Sequence, residues 1–99
     1  MIDLNQISGF DWDEGNARKN QKHGVSMAQA EQVFFNVPLL ILGDAVHSSE
    51  ELRLHALGIT DEERALHITL TLRQSGKLIR VISARDMSRK ERLIYDKAS

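Results

Sequence analysis

The hydrophobic positions of this chain change their period twice, and each change marks a new kind of element. Phe10-Asp11-Trp12-Asp13 alternates aromatic with acidic residues, as a short half-buried strand does. Asp11 or Asp13 is then placed to cap a helix running to about His23, where Gly24 supplies the stop. Ser26 with Gln29 forms an S-x-x-Q capping box and Val25 can staple onto Ala30, so a second helix begins there. Met27, Ala30, Val33 and Phe34 share one side at helical spacing and are its predicted buried face, and the helix stops before Pro38. Leu39-Leu40-Ile41-Leu42 is too short and too uniformly apolar for a surface helix and reads as a strand ended by Gly43-Asp44.

From Leu52 the period becomes two. Leu66, Ile68, Leu70 and Leu72 alternate with Ala65, His67, Thr69 and Thr71, which predicts a strand with an apolar face and a polar, solvated one. The run Leu52 to Ile59 reaches it through Thr60-Asp61-Glu62-Glu63, an antiparallel hairpin. After the turn Gln74-Ser75-Gly76, the run Leu78 to Ser83 is apolar on both faces except at Arg80, the pattern of a central strand. Ser88-Arg89-Lys90-Glu91 is a further capping box, opening a last helix with Leu93 and Ile94 predicted toward the core. The order is β-α-α-β-β-β-β-α, an α+β fold in a single domain spanning residues 1–99.

Composition narrows the function classes. There is no cysteine, so disulfide frameworks, zinc knuckles and thiol nucleophiles are out, and a reducing, cytoplasmic setting is the expected one. The start lacks the basic and apolar regions of a secretory signal, and no stretch approaches the roughly 20 apolar residues that cross a bilayer, so no membrane partner is expected. Net charge is −1, which argues against indiscriminate nucleic-acid binding, but the charge is uneven: from Arg73 onward there are 8 basic against 3 acidic residues. That segment is a candidate anion-binding face. Arg89 and Lys90 sit in the first turn of the last helix, where the macrodipole disfavours cations, a placement that makes sense if the site receives a phosphate or carboxylate.

Among the candidates for holding an anion, Arg80 and Arg85 bring the planar guanidinium fork that matches phosphate or carboxylate. For Arg80 a salt bridge to an acidic residue of a neighbouring strand is a nearly equal reading, and Arg85 is the stronger candidate. Arg53 shares a strand face with His55, and both could line a polar surface with His67 and Thr69, depending on the hairpin register. The plainer reading of these sheet histidines is a solvated residue without a partner. His47 stands in a segment that could close over a substrate. Lys22 and His23 end a helix, where cations commonly serve only the dipole. No histidine pair has the i, i+4 spacing of a metal site, and Asp44, His47, Glu50 and Glu51 form no recognised ligand signature, so neither metal nor cofactor is expected. Trp12 and Phe10 read as anchors of a terminal strand on the core.

In this order of elements, and in the residues at its joints, the chain resembles the BrnT family of type II toxins. The resemblance rests on Phe10-Asp11-Trp12-Asp13, Lys22-His23-Gly24-Val25-Ser26, Val33-Phe34, Asp44, His47-Ser48, Arg53, Gly58, Arg80-Val81-Ile82-Ser83-Ala84-Arg85, Ser88-Arg89-Lys90-Glu91-Arg92 and Tyr95. It implies a RelE-like fold, a sheet packed by helices on one side, that cleaves RNA without a metal and arrests translation. On that basis Arg85, Arg80, Arg53 and His47 are the expected catalytic residues, and Lys22, His23, Arg89, Lys90 and Arg92 the expected RNA-binding ones. It further implies a cognate antitoxin of ribbon-helix-helix type, with DNA contacted only through the antitoxin complex. A second reading, of a different class, is a non-catalytic module whose basic face docks an acidic antitoxin segment within a complex that regulates its own transcription.

Overall fold

In the computed structural model the described residues are 3–15, 18, 23–44 and 52–98. A turn of 3-10 helix at Leu4–Gln6 leads into strand β1 (Gly9–Asp11), followed by helix α1 (Met27–Val33) and strands β2 (Leu40–Gly43), β3 (Leu54–Ile59), β4 (Ala65–Arg73) and β5 (Leu78–Asp86), closed by helix α2 (Arg89–Ala98). The helix expected between Asp13 and His23 falls largely outside the described residues.

The five strands form one sheet in the order β1-β5-β4-β3-β2. The hairpin β3–β4 pairs Ile59 with Ala65 and Leu54 with Leu70, and its turn is held by the buried Thr60, whose hydroxyl accepts from the Glu62 and Arg64 amides. β4–β5 is likewise antiparallel, and β5 lies between β4 and β1, inside the sheet as its two-faced apolar pattern implies.

The expectation of an antiparallel sheet is corrected at one edge. β1 runs parallel to β5, with Phe10 beside Ile79 and Asp11 beside Arg80, so the sheet is mixed. The early strand enters next to the last one rather than beside its sequence neighbour, a pairing that hydropathy patterns do not encode. The strand itself is also shorter than the aromatic-acidic alternation predicts, ending at Asp11.

The described helices lie on opposite faces, not on one side. Gly58 of β3 meets α1 so closely that an added Cβ would stand 2.7 Å from Val33 Cγ1, whereas its neighbour Leu57 packs with Tyr95 of α2. Adjacent strand residues point to opposite faces, so α1 and α2 sandwich the sheet. The larger core lies under α1 and joins Val25, Ala30, Val33 and Phe34 to Ala56, Leu66, Ile68, Leu70, Ile79, Val81 and Ala84. Phe10 stacks against Phe34, and Trp12 donates its indole N–H to Glu31 at 2.8 Å while packing on that core, so both aromatics anchor β1.

Two predicted helix faces need correction. Both arms of the Ser26–Gln29 capping box are formed and Ala30, Val33 and Phe34 are buried, but Met27 is exposed because Val25, just ahead of the cap, fills the core beside Ala30. In α2 the Ser88–Glu91 box is formed in both directions, yet Tyr95 is the buried residue and Leu93 is 59% exposed. Glu91 is turned inward by polar partners on the sheet, so the position one helical turn later faces inward with it and Leu93 is rotated to solvent. Thr71, read as solvated, is buried and donates to the Leu52 carbonyl.

Candidate functional site: a histidine pair between two carboxylates

On the α2 face of the sheet Tyr95 packs with Leu57, Ala65 and Met87, and the same face carries the polar alternation of β3, β4 and β5. Arg80 and Arg85 are five positions apart, an odd spacing that places them on opposite faces of a regular strand. A β-bulge changes this. The register passes from Thr69↔Ser83 to Leu70↔Val81, which leaves Ile82 as the extra residue. Arg80 is therefore opposite Thr71, Ser83 opposite Thr69 and Arg85 opposite His67, all on one face.

At the Arg85 end, the hairpin register sets His55 of β3 against Thr69 and Leu57 against His67 of β4. The two imidazoles meet diagonally across the pair, with His55 Nδ1 at 2.9 Å from His67 Nε2 and ring centroids 5.0 Å apart. His55 Nδ1 also lies 3.1 Å from the Thr69 hydroxyl. Outward, His55 Nε2 is 2.8 Å from Asp44 Oδ2, supplied by the residue just after β2. Inward, His67 Nδ1 is 2.9 Å from Glu91 Oε2, but off line for a full hydrogen bond, and it has no other partner among the described residues. Glu91 in turn accepts a two-pronged bond from Arg85, Nη1 to Oε1 at 2.8 Å and Nη2 to Oε2 at 3.0 Å, and accepts from the Ser88 amide at 2.8 Å. The result is one row, Asp44, His55, His67, Glu91, Arg85, drawn from three strands, the residue after β2 and the first turn of α2.

The electrostatics follow from these contacts. The Arg85 bond, aided by the Ser88 amide, outweighs burial and holds the Glu91 carboxyl down at about 2. Burial depresses the His67 imidazole below its ordinary value, with the Glu91 charge opposing and Arg85 and His55 adding to the depression. Arg85 uses three N–H groups on Glu91 and the Asp86 carbonyl, the other two of its five have no partner among the described residues, and its side chain is 41% exposed. Beside the row opens a cleft of about 340 Å³ lined by His55, His67, Ser88, Lys90, Glu91 and the apolar Leu42, Leu57 and Ile94.

Arg80 has different surroundings. It is bound by Asp11 at 3.2 Å and by Asp13, and it lies roughly 15 Å along the strand from Arg85. The two arginines share a face but not a cleft. Arg53 is half-buried just ahead of β3, in alternation with His55. Arg89, Lys90 and Arg92 are exposed at the start of α2; Lys90 lines the histidine cleft, while Arg92 lines a separate hollow with Glu63 and Asp96. His23 is exposed in the turn tied by Arg64, which donates to the His23 and Gly24 carbonyls and pairs with Asp86. His47 and Lys22 lie outside the described residues. Asp44, His55, His67 and Glu91 are not among the expected catalytic or RNA-binding residues, although the sequence reading lets His55 and His67 line one polar surface. The available signal was the alternation itself, which put His55 and His67 on polar faces of adjacent strands but could not supply the register.

Among the described residues, no three His, Cys, Asp or Glu side chains form a group able to hold a metal ion. None of the described helices is long and apolar enough to cross a membrane.

A mixed sheet between two helices thus carries a guanidinium fork and a histidine pair on one face, with the basic start of α2 beside them. The chain matches the family described as the ribonuclease toxin, BrnT, of type II toxin–antitoxin systems over residues 12–91, and it belongs to that family. The matched span contains every residue of the row from Asp44 to Glu91. A comparison with curated proteins returned no match. Membership makes the chain a type II toxin at the level of the family, with an antitoxin as partner.

Proposed function

We propose that this chain is a metal-independent endoribonuclease of the cytoplasm that cleaves RNA, thereby inhibits translation, and is neutralised by a cognate antitoxin. The observation that carries this reading is the row Asp44–His55–His67–Glu91–Arg85 beside a cleft that Lys90 also lines. Imidazoles titrate near neutrality and suit proton transfer, and a guanidinium in a part-buried site stabilises charge developing on phosphoryl oxygens. These groups supply a base for the 2′-hydroxyl and a cation for the phosphoryl oxygens.

In the proposed reaction the RNA phosphate takes the two N–H groups of Arg85 that neither Glu91 nor the Asp86 carbonyl uses. The 2′-hydroxyl gives its proton to an imidazole while O2′ bonds to phosphorus. The bond from phosphorus to O5′ breaks, and the 5′-oxygen takes a proton from water, leaving a 2′,3′-cyclic phosphate and a 5′-hydroxyl. His55 is the imidazole that RNA reaches, since its side chain is the more exposed of the pair. Lys90 and Arg89 offer charge for neighbouring phosphates.

The second reading is a non-catalytic module that binds a ribbon-helix-helix antitoxin and acts on DNA only through that complex. It is favoured by the pairing of both Arg80 and Arg85 with the chain's own carboxylates. One assay separates the two. Purified protein incubated with RNA and a chelator is expected to generate fragments ending in cyclic phosphate, and His55→Ala is expected to slow cutting by about 10²-fold or more while the circular dichroism melt is retained. Intact RNA in the presence of folded wild-type protein would remove the enzymatic claim.

A further inference from the structure

The closing helix carries a second face that the sheet does not use. Glu91 and Tyr95, one turn apart, face the sheet, while Lys90, Leu93, Ile94 and Lys97 recur at i, i+3, i+4 and i+7 and so form one stripe. All four are exposed, Leu93 at 59% and Ile94 at 41%. The centre of the stripe is aliphatic and its two ends are cationic. Ile94 and Lys90 also line the cleft beside the histidine pair, where Leu57 of β3 and the exposed Leu42 of β2 continue the apolar surface. Because β2 is the outermost strand, that surface runs from the helix to the border of the sheet.

Leucine and isoleucine grouped at a surface mark a place that another molecule covers, and the flanking groups say which kind. The lysines suit a nucleic acid, but aliphatic side chains offer a base no stacking surface, and among the described residues no Phe, Tyr or Trp lines the cleft or the stripe. A second copy of the chain, meeting the stripe across a twofold axis, would set Lys90 and Lys97 against the same lysines. A protein segment with apolar side chains bordered by carboxylates matches both the centre and the ends. Membership of the family supplies a protein partner, the antitoxin.

We propose that the stripe of Lys90, Leu93, Ile94 and Lys97, continued by Leu42, is the docking surface for an antitoxin segment whose apolar side chains bury Leu93 and Ile94 and whose carboxylates meet the two lysines. This rests on the proposed neutralisation of the toxin and states how it is achieved. Ile94 and Lys90 belong to both the stripe and the cleft, so the seated segment lies over the cleft and keeps RNA from His55 and His67. The inner side of α2 is undisturbed: Glu91 keeps Arg85 and the Tyr95 hydroxyl keeps the Pro38 carbonyl. Binding strength then resides in the apolar centre, and the charged ends set orientation and encounter rate.

Calorimetric titration of the full chain with its cognate antitoxin, without RNA, tests this. Leu93→Glu and Ile94→Glu each put a charge at an already exposed position, so both should keep the wild-type melt, and each should weaken binding by about 10²-fold. Lys90→Glu should weaken it by about 10-fold at low salt and by less at high salt. Phe35→Glu, at an exposed ring that packs beside Phe10 away from the stripe, should stay within a few-fold of wild type. Wild-type affinity in folded Leu93→Glu and Ile94→Glu, or a loss confined to Phe35→Glu, would overturn the proposal. So would a Leu93→Glu protein that binds antitoxin normally but has lost RNA binding or self-association, since the stripe would then belong to one of those partners. If both variants lose the antitoxin while wild type cuts no RNA, the nuclease reading falls and the docking surface stands.

Discussion

The two ends of β5 carry the same functional group in opposite circumstances. At its first turn of register Arg80 is 25% exposed and gripped by two aspartates, Asp11 in β1 and Asp13 just beyond it. At its far end Arg85 is 41% exposed, holds a single glutamate, and stands beside two imidazoles and a cleft. The bulge at Ile82 brings both side chains to one face, so facing direction does not separate them; the company each keeps does. Arg80 joins the short parallel strand to the sheet, whereas Arg85, the more exposed of the two, has N–H groups without a partner among the described residues.

Acid should reveal the difference first. The Glu91 carboxyl is held at about 2 in the fold against 4.5 for the free group, so its contribution is fully present above 4.5 and is lost as pH falls toward 2. His67 works in the same direction: its folded value is lowered, chiefly by burial, so protonation below 6.5 favours the unfolded chain. Discounted for the exposure of Arg85, the Glu91 part is on the order of 2 kcal/mol. The wild-type melting temperature should therefore drop on acidification, and Glu91→Gln should flatten the portion below about pH 4.5. An unchanged acid dependence in that variant would place the effect elsewhere in the molecule.

A smaller effect is expected at the other end. Arg80→Ala removes the guanidinium that Asp11 and Asp13 share, at a cost of about 1 kcal/mol for these part-exposed pairs, or about 5 °C of melting temperature. Replacing Asp11 and Asp13 by Asn together with Arg80→Gln should recover much of that loss. No loss in Arg80→Ala would mean that β1 is held by Phe10 and Trp12 alone.

This contrast also separates what the sequence could say from what it could not. The β3–β4 hairpin, both capping boxes and the inward β5 were legible because alternation and S-x-x-Q/E spacing are local signals. The parallel β1 was not, because it pairs residues such as Asp11 and Arg80 across most of the chain. The histidine pair was half legible: His55 and His67 each fall on a polar face, but only the register brings them within 2.9 Å. The bulge had no signal in the run from Arg80 to Arg85, and without it those arginines part to opposite faces. Leu93 and Ile94 misled for a related reason, since a cap glutamate with partners on the sheet, rather than hydrophobicity, sets the rotation of α2.

The most direct measurement is the cleavage of one RNA, in chelator, by wild type, Arg80→Ala and Arg85→Ala side by side at equal folded concentration. Loss of Arg85 should reduce the rate by about 10²-fold or more, as removal of a donor to a developing oxyanion does, while loss of Arg80 should leave it within a few-fold of wild type. Equal losses, or a greater loss at Arg80, would contradict the assignment of chemistry to the Arg85 end.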